Sequence, residues 1–233
     1  MDIIELDEID STNDELRRLA EKGAANFTII AARKQTRGKG RYSRNWESPE
    51  GNIYLSILIK NLDVHTAHQV SFVAGLAALE TVQINVDDHE VRLKWPNDVL
   101  ADGKKVAGVL LESASSRPDR LDYLIIGFGI NVKKSPDYAT NMKKLGSTQN
   151  FGIIKTKLVD EFLKYYEIWL EEGFGKIRNL WLKNAMGLGE KIVANLPERH
   201  IEGIFVGLTA NGELILDTNE GEKIISSGEV HAL

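Results

Sequence analysis

Apolar and polar residues alternate over residues 3–9, the pattern of a strand with one face covered. A short helix is predicted next. Leu16, Leu19 and Ala20 share one face, Thr12 followed by Glu15 reads as a capping box, and Gly23 is the stop. Apolar runs at 27–32 and 53–59 read as buried strands, with Pro49-Glu50-Gly51-Asn52 as a turn before the second. Between residues 67 and 82, Val70, Val73, Ala74, Ala77 and Ala78 recur at helical spacing, and their small size suits close packing on a sheet. Strands follow at 91–93, 104–112 and 121–132, the first two separated by the hairpin signal Asp102-Gly103. Leu158, Phe162, Tyr165, Tyr166, Trp169 and Leu170 form a helical stripe that belongs in a core, and a shorter helix is expected around 177–186.

After Gly187-Leu188-Gly189 the pattern changes. Short strands are expected at 191–196, 201–208, 213–216 and 223–226, with Asn211-Gly212 and Glu220-Gly221 as turns. The chain therefore divides into a mixed unit of strands and helices over 1–187 and a small all-β unit over 188–233. The second is near the lower size limit for independent folding, so it should dock on the first.

The totals narrow the function classes. At 233 residues, 42% hydrophobic and 27% charged, the chain is an ordinary globular protein. It has no cysteine, which excludes disulfides, thiolate metal sites and cysteine nucleophiles, and suits a reducing cytoplasm. No apolar run is long enough to span a bilayer, and the acidic N-terminus lacks the apolar core of a signal peptide. A net charge of -5 argues against general nucleic-acid binding.

Against that acidity one stretch stands out. Arg33, Lys34, Arg37, Lys39, Arg41 and Arg44 follow one another with no acid between them, and Trp46 closes the segment. Gly38 and Gly40 are expected to take φ > 0 and to let backbone N–H groups reach an anion such as phosphate. Asp98, after Lys94-Trp95-Pro96-Asn97, could hold a divalent cation together with substrate phosphates. Lys105 is on a strand, where its ammonium can be held in place. Gly108, Gly127 and Gly129 are glycines within strands and mark a close approach of ligand or backbone. Each feature also has a plain structural use: a cap for Ser11-Thr12-Asn13, an Asx turn for Asp98, an exposed strand lysine for Lys105. No GxxxxGK[ST] loop and no Ser-His-Asp arrangement is present.

Together, Gly38-Lys39-Gly40-Arg41, Trp46-Glu47-Ser48-Pro49, Lys94-Trp95-Pro96-Asn97-Asp98, Lys105-Val106-Ala107-Gly108 and Gly127-Phe128-Gly129-Ile130-Asn131 resemble, in order and spacing, the motifs of biotin protein ligases. The resemblance runs over nearly the whole chain. It implies an α+β fold: a mainly antiparallel sheet flanked by helices, like the class II synthetase catalytic domain, followed by a small C-terminal β-barrel. The implied activity converts biotin and ATP, with Mg2+, to biotinyl-5′-adenylate, then transfers biotin to one lysine of a biotin carboxyl carrier protein or domain.

The resemblance also implies roles. Ser11, Thr12, Asn13 and Gln35 match biotin-binding positions, as do Gly38, Lys39, Gly40, Gly108, Gly127 and Gly129. Arg41 and Lys105 match residues that meet both biotin and phosphate, and so carry catalysis. Arg41, Arg44, Trp46, Lys94, Asn97 and Asn131 match the ATP site, and Asp98 the metal site. Lys39 stands where the family commonly has arginine. The first strand begins so close to Met1 that no N-terminal DNA-binding domain is expected, and neither DNA nor membrane is expected as a partner. The exposed edge of an antiparallel sheet offers a surface for a homodimer. Two alternatives remain: a lipoate–protein ligase of the same superfamily, which also uses an adenylate, and a non-catalytic biotin sensor. Octanoyl transfer of the usual kind needs a cysteine, which the chain lacks.

Overall fold

A computed structural model describes residues 3–196 and 199–232. Met1, Asp2 and Leu233, the ends of the two expected units, lie outside the described residues. Strands β1 (Ile3–Ile9), β2 (Ile29–Gln35), β3 (Ile53–Ile59), β4 (Val91–Lys94), β5 (Asp98–Ala101), β6 (Lys104–Ala114) and β7 (Tyr123–Ile130) form one sheet in the order β1-β2-β3-β7-β6-β5-β4. Only β1 and β2 are parallel, so the sheet is mainly antiparallel.

Both faces are covered, which explains why the interior strand β3 is buried at every position and reads as a continuous apolar run. On one face, helix α1 (Thr12–Glu21) packs Leu16 and Ala20 against Ile30, Leu58 and Ile125. On the other face lie α2 (Val70–Gln83), α3 (Phe151–Glu172) and α4 (Phe174–Lys183). Ala74, Ala77 and Ala78 of α2 are fully buried or nearly so, and the small side chains bring that helix close to the sheet. The stripe on α3 is buried as expected from Leu158 to Trp169, but Leu170 is turned to solvent. At 100° per residue the next position after Trp169 leaves the core face.

The C-terminal residues form a second sheet of β8 (Lys191–Asn195), β9 (His200–Leu208), β10 (Leu214–Thr218), β11 (Gly221–Ile225) and β12 (Glu229–Ala232), in the order β11-β10-β9-β8-β12. The expected barrel is not observed. Among the described residues β11 pairs only with β10 and β12 only with β8, so the sheet stays open. Its apolar side is closed by the rest of the protein instead: Phe205, Leu208, Leu214 and Leu216 join the same core as α2 and Trp181. Trp95, buried in the turn between β4 and β5, donates its indole N–H to the Gly212 carbonyl at 3.1 Å and ties the two units together. No helix among the described residues is long and apolar enough to cross a membrane.

Candidate active site

Strand register accounts for the site. Residues directly opposite on neighbouring strands point to the same face. Lys94 is opposite Asp98, Asp98 opposite Gly108, and Gly108 opposite Gly129, so these four form one row across β4, β5, β6 and β7. The next row is Leu110, Gly127 and Ser56. Both rows lie on the face that α1 covers. The absent side chains of three glycines leave a trough in the sheet.

Lys105 belongs to this face only because of a bulge. Leu100 pairs with Lys105 but Val99 pairs with Ala107, so β6 carries one extra residue. Without it, residues three apart would face opposite sides. With it, Lys105 Nζ stands 2.7 Å from Asp98 Oδ1 and 5.0 Å from the centroid of the Trp46 ring. The pair is an ion contact without aligned hydrogen bonding, since the buried Asp98 Oδ1 has no hydrogen-bond donor.

At the other end of the trough sits the N-terminus of α1. The cap is Ser11, whose hydroxyl oxygen accepts from the Asp14 N–H at 3.5 Å; Thr12 is already helical, so the helix begins one residue earlier than the capping box implied. That frees the Thr12 hydroxyl. Gln35 Oε1 accepts from the Thr12 N–H at 2.8 Å and lies 3.1 Å from its hydroxyl oxygen. The Ser56 hydroxyl, fully buried on β3, lies 2.7 Å from Thr12 Oγ1 and donates to Asn13 Oδ1 at 2.6 Å. Asn13 Nδ2 donates in turn to Glu112 at 2.8 Å. A Cβ at Gly127 would overlap Asn13 Oδ1, so this position must be glycine for the helix start to reach the sheet.

The basic segment is a folded hairpin over the trough. Gly40 N–H donates to the Arg44 carbonyl at 2.8 Å and Trp46 N–H to the Gly38 carbonyl at 3.0 Å. The expectation of positive φ at Gly38 and Gly40 fails: the left-handed residues are Tyr42 and Ser43, with φ of 56° and 58°. Gly38 is needed for space, because a Cβ there would overlap Ser48 Oγ and the Trp46 carbonyl. The Trp46 ring lies on the glycine floor, so that a Cβ at Gly129 would come within 2.6 Å of it.

The cations of the hairpin are already engaged. Lys39 Nζ is 2.5 Å from Asp14 and 3.8 Å from Glu112. Arg41 donates to the Gly228 carbonyl at 3.2 Å, and Arg44 pairs with Glu229. Burial pushes the Lys94 ammonium below its usual pKa, against the pull of Asp98 and Glu229 and assisted by Lys105 and Arg44.

Between hairpin and trough lies a cavity of about 270 Å³. Of the residues singled out from the sequence, Ser11, Thr12, Asn13, Gln35, Lys39, Gly40, Arg41, Arg44, Trp46, Lys94, Asn97, Asp98, Lys105, Gly108, Gly127, Gly129 and Asn131 line it; Gly38 stands behind the wall. Two of these also hold the walls in place: Asn97 donates to the Val109 carbonyl at 2.6 Å, and Asn131 to the Thr140 carbonyl at 3.1 Å. Sequence reading did not single out Tyr138 or Glu229, which also line the cavity, or Ser56 and Glu112 behind it. Ser56 carried a weak signal as the one small polar residue in the apolar run of β3.

Comparison with known proteins agrees with this geometry. Residues 6–131 match the biotin/lipoate A/B protein ligase family and residues 187–231 the biotin protein ligase C-terminal domain. The biotin–[acetyl-CoA-carboxylase] ligase of Paracoccus denitrificans is 34% identical over 95% of this chain and 96% of its own length. The bifunctional ligase/repressor BirA of Bacillus subtilis is 33% identical over 96% of this chain and 72% of its own length. Among solved structures, the biotin protein ligase of Aquifex aeolicus in complex with biotin and ATP superposes with a TM-score of 0.83 at 33% identity, covering 99% of this chain and 97% of the other. By sequence and by fold, the chain belongs to the biotin protein ligase family.

Proposed function

We infer that the protein is a biotin–protein ligase. It activates biotin with ATP to biotinyl-5′-AMP and transfers the biotinyl group to an acceptor protein. The observation that carries the reading is one cavity with two chemically different ends: neutral hydrogen-bonding groups at Thr12, Asn13 and Gln35, and cations at Arg41, Arg44, Lys94 and Lys105. A cyclic urea suits the first end and a polyphosphate the second. The units are read as 1–187 for catalysis and 188–233 as the appended sheet. The acceptor is read as the lysine of a biotin carboxyl carrier domain.

In the first step a biotin carboxylate oxygen attacks the α-phosphorus of ATP, and the bond to pyrophosphate breaks. Lys105 is proposed to stabilise charge developing on the α-phosphoryl oxygens, and Arg41 and Arg44 to hold the phosphates. Ser11, Thr12, Asn13 and Gln35 hold the ring, and Trp46 shields the adenylate from water. In the second step the neutral amine of the acceptor lysine attacks the acyl carbon, the C–O bond breaks, AMP leaves with the pair, and the nitrogen gives up one proton to solvent. A magnesium ion arriving with the nucleotide would be held by Asp98 and would neutralise phosphate charge there. The fit is good for an ion that arrives with substrate: Asp98 offers a buried oxygen without a donor, and no cluster of three or more metal-binding side chains exists among the described residues. A homodimer through the free edge of β1 completes the reading, Ile4 being half-exposed there.

The test is mass spectrometry of the purified protein with biotin, Mg-ATP and a biotin carboxyl carrier domain. One added biotinyl group on one lysine is expected. Modification by lipoate in place of biotin would overturn the assignment.

A further inference from the structure

Lys133, Lys134, Lys143 and Lys144 are all exposed on a chain whose net charge is -5. None of them lies within 4.0 Å of a carboxylate among the described residues, while the cations of the basic hairpin are partnered by Asp10, Asp14 and Glu229. Between residues 131 and 150 the only acid is Asp137.

The patch is built, not a loose tail. Asn52, only 5% exposed, accepts at Oδ1 from the N–H groups of Val132, Lys133 and Lys134 at 3.0, 3.1 and 3.0 Å, and donates to the Lys134 carbonyl at 3.0 Å. Lys143 N–H donates to the Val132 carbonyl at 2.8 Å, which sets the two lysine pairs side by side. Lys133 Nζ is further held 4.6 Å from the centroid of the Phe151 ring. The patch adjoins the active-site mouth: its surface depression shares Glu47 and Pro136 with the catalytic cavity.

The chemistry of transfer indicates an occupant. A protonated lysine is repelled by Arg41, Arg44, Lys94 and Lys105, so the acceptor side chain gains nothing electrostatically by entering. An acidic surface around that lysine would be drawn to the four ammonium groups, none of them paired with a carboxylate among the described residues, and repelled by the rest of this acidic protein, which fixes orientation as well as attraction. The lysines are spread over an open surface with no enclosed donors, which suits a protein face better than a small anion. Four cations on an acidic chain are too few for salt-resistant nucleic-acid binding. We propose that Lys133, Lys134, Lys143 and Lys144 form the docking surface for an acidic face of the acceptor domain, adjacent to its target lysine. This rests on the ligase reading above.

The test uses the full chain with biotin, Mg-ATP and a purified biotin carboxyl carrier domain. Adenylate formation is followed as pyrophosphate release without acceptor, and transfer by mass. Lys133→Glu/Lys134→Glu and, separately, Lys143→Glu/Lys144→Glu should raise the KM for the carrier domain by about tenfold or more and flatten its salt dependence. Pyrophosphate release and attack on the adenylate by hydroxylamine should stay within twofold. Lys22→Glu/Lys60→Glu makes the same charge change at the other end of α1 and β3 and should leave the carrier KM unchanged. Neutralising acids beside the carrier lysine should raise the wild-type KM but add little to the reversed variants. The proposal is overturned if carrier KM stays unchanged in both patch variants, if the Lys22/Lys60 control raises it equally, or if pyrophosphate release falls instead. Failure of wild type to release pyrophosphate with biotin would count against the ligase reading itself, and is thereby distinguishable.

Discussion

The two ends of the cavity are built on opposite plans. The Thr12–Asn13 end is finished before any ligand arrives: Gln35, Thr12, Ser56, Asn13 and Glu112 form one chain of hydrogen bonds, and Ser56 is wholly buried. The Ser56 proton goes to Asn13 Oδ1, which can only accept, so the Thr12 hydroxyl proton points to Ser56 Oγ and the Thr12 N–H holds Gln35 Oε1. At the other end the charged groups are held by partners that a ligand can replace. Lys105 leans on Asp98, Arg44 on Glu229, Arg41 on a backbone carbonyl. A network of fixed hydrogen bonds recognises shape and hydrogen-bonding pattern. A set of exchangeable ion pairs keeps cations soluble and in place until phosphate displaces the acids. Recognition should therefore depend on the first end and chemistry on the second.

The largest effect that would sharpen this contrast is at Lys105. Lys105→Ala is expected to lower the adenylation rate by about 10²–10³, the loss of about 3–4 kcal/mol seen when a comparable electrostatic donor is removed. Arg41→Gly should come next. On the proposed role it loses a charge-assisted hydrogen bond of about 1.5–3 kcal/mol to the phosphate, so adenylate should form but escape about one to two decades faster. Bystander labelling of serum albumin, probed with streptavidin in the absence of carrier, reads this directly, and labelling no greater than wild type would clear Arg41 of a retaining role. Ser56→Ala is expected to act on the opposite end. It strips the buried Asn13 Oδ1 of its donor, a change of about 1–3 kcal/mol, and should weaken biotin while leaving the ATP KM alone.

Lys94 gives the smallest effect. Its pKa is lowered by burial, so the unfolded chain binds this proton more tightly than the folded one. Stability from this group is therefore present above the unfolded value near 10.4 and declines as pH falls toward the folded one. Lys94→Met should raise Tm by about 2–4 °C at neutral pH, with the gain shrinking as pH approaches 10, and should raise the KM for ATP. A gain that grows with pH would reverse the sign and remove burial as the cause.

The sequence carried most of the fold because its periodicities were local. β1 and β3 have the predicted bounds. Two strands were not foreseen. β5 holds four residues between a proline turn and Asp102-Gly103, and β12 follows Gly228 near the chain end, too short for periodicity to register. The barrel expectation failed because closure depends on whether β11 meets β12, a non-local fact; docking on the α2 core covers that face instead. At the site, glycines and charges inside motifs were legible. Ser56 and Glu112 were not, since their roles come from register across β3, β7 and β6. Lys105 reaches the cavity through a bulge that a strict two-residue alternation would have denied it.

The division between the two ends is tested most directly by one paired measurement. Biotin Kd and the single-turnover adenylation rate at saturating biotin are determined for Lys105→Ala and Ser56→Ala in parallel with wild type. The account predicts a crossed result: Lys105→Ala loses rate with Kd within about threefold, and Ser56→Ala loses affinity with rate within about threefold, each margin below about 0.7 kcal/mol. If both variants lose affinity and rate together, the cavity works as one coupled unit and the separation of recognition from chemistry is wrong.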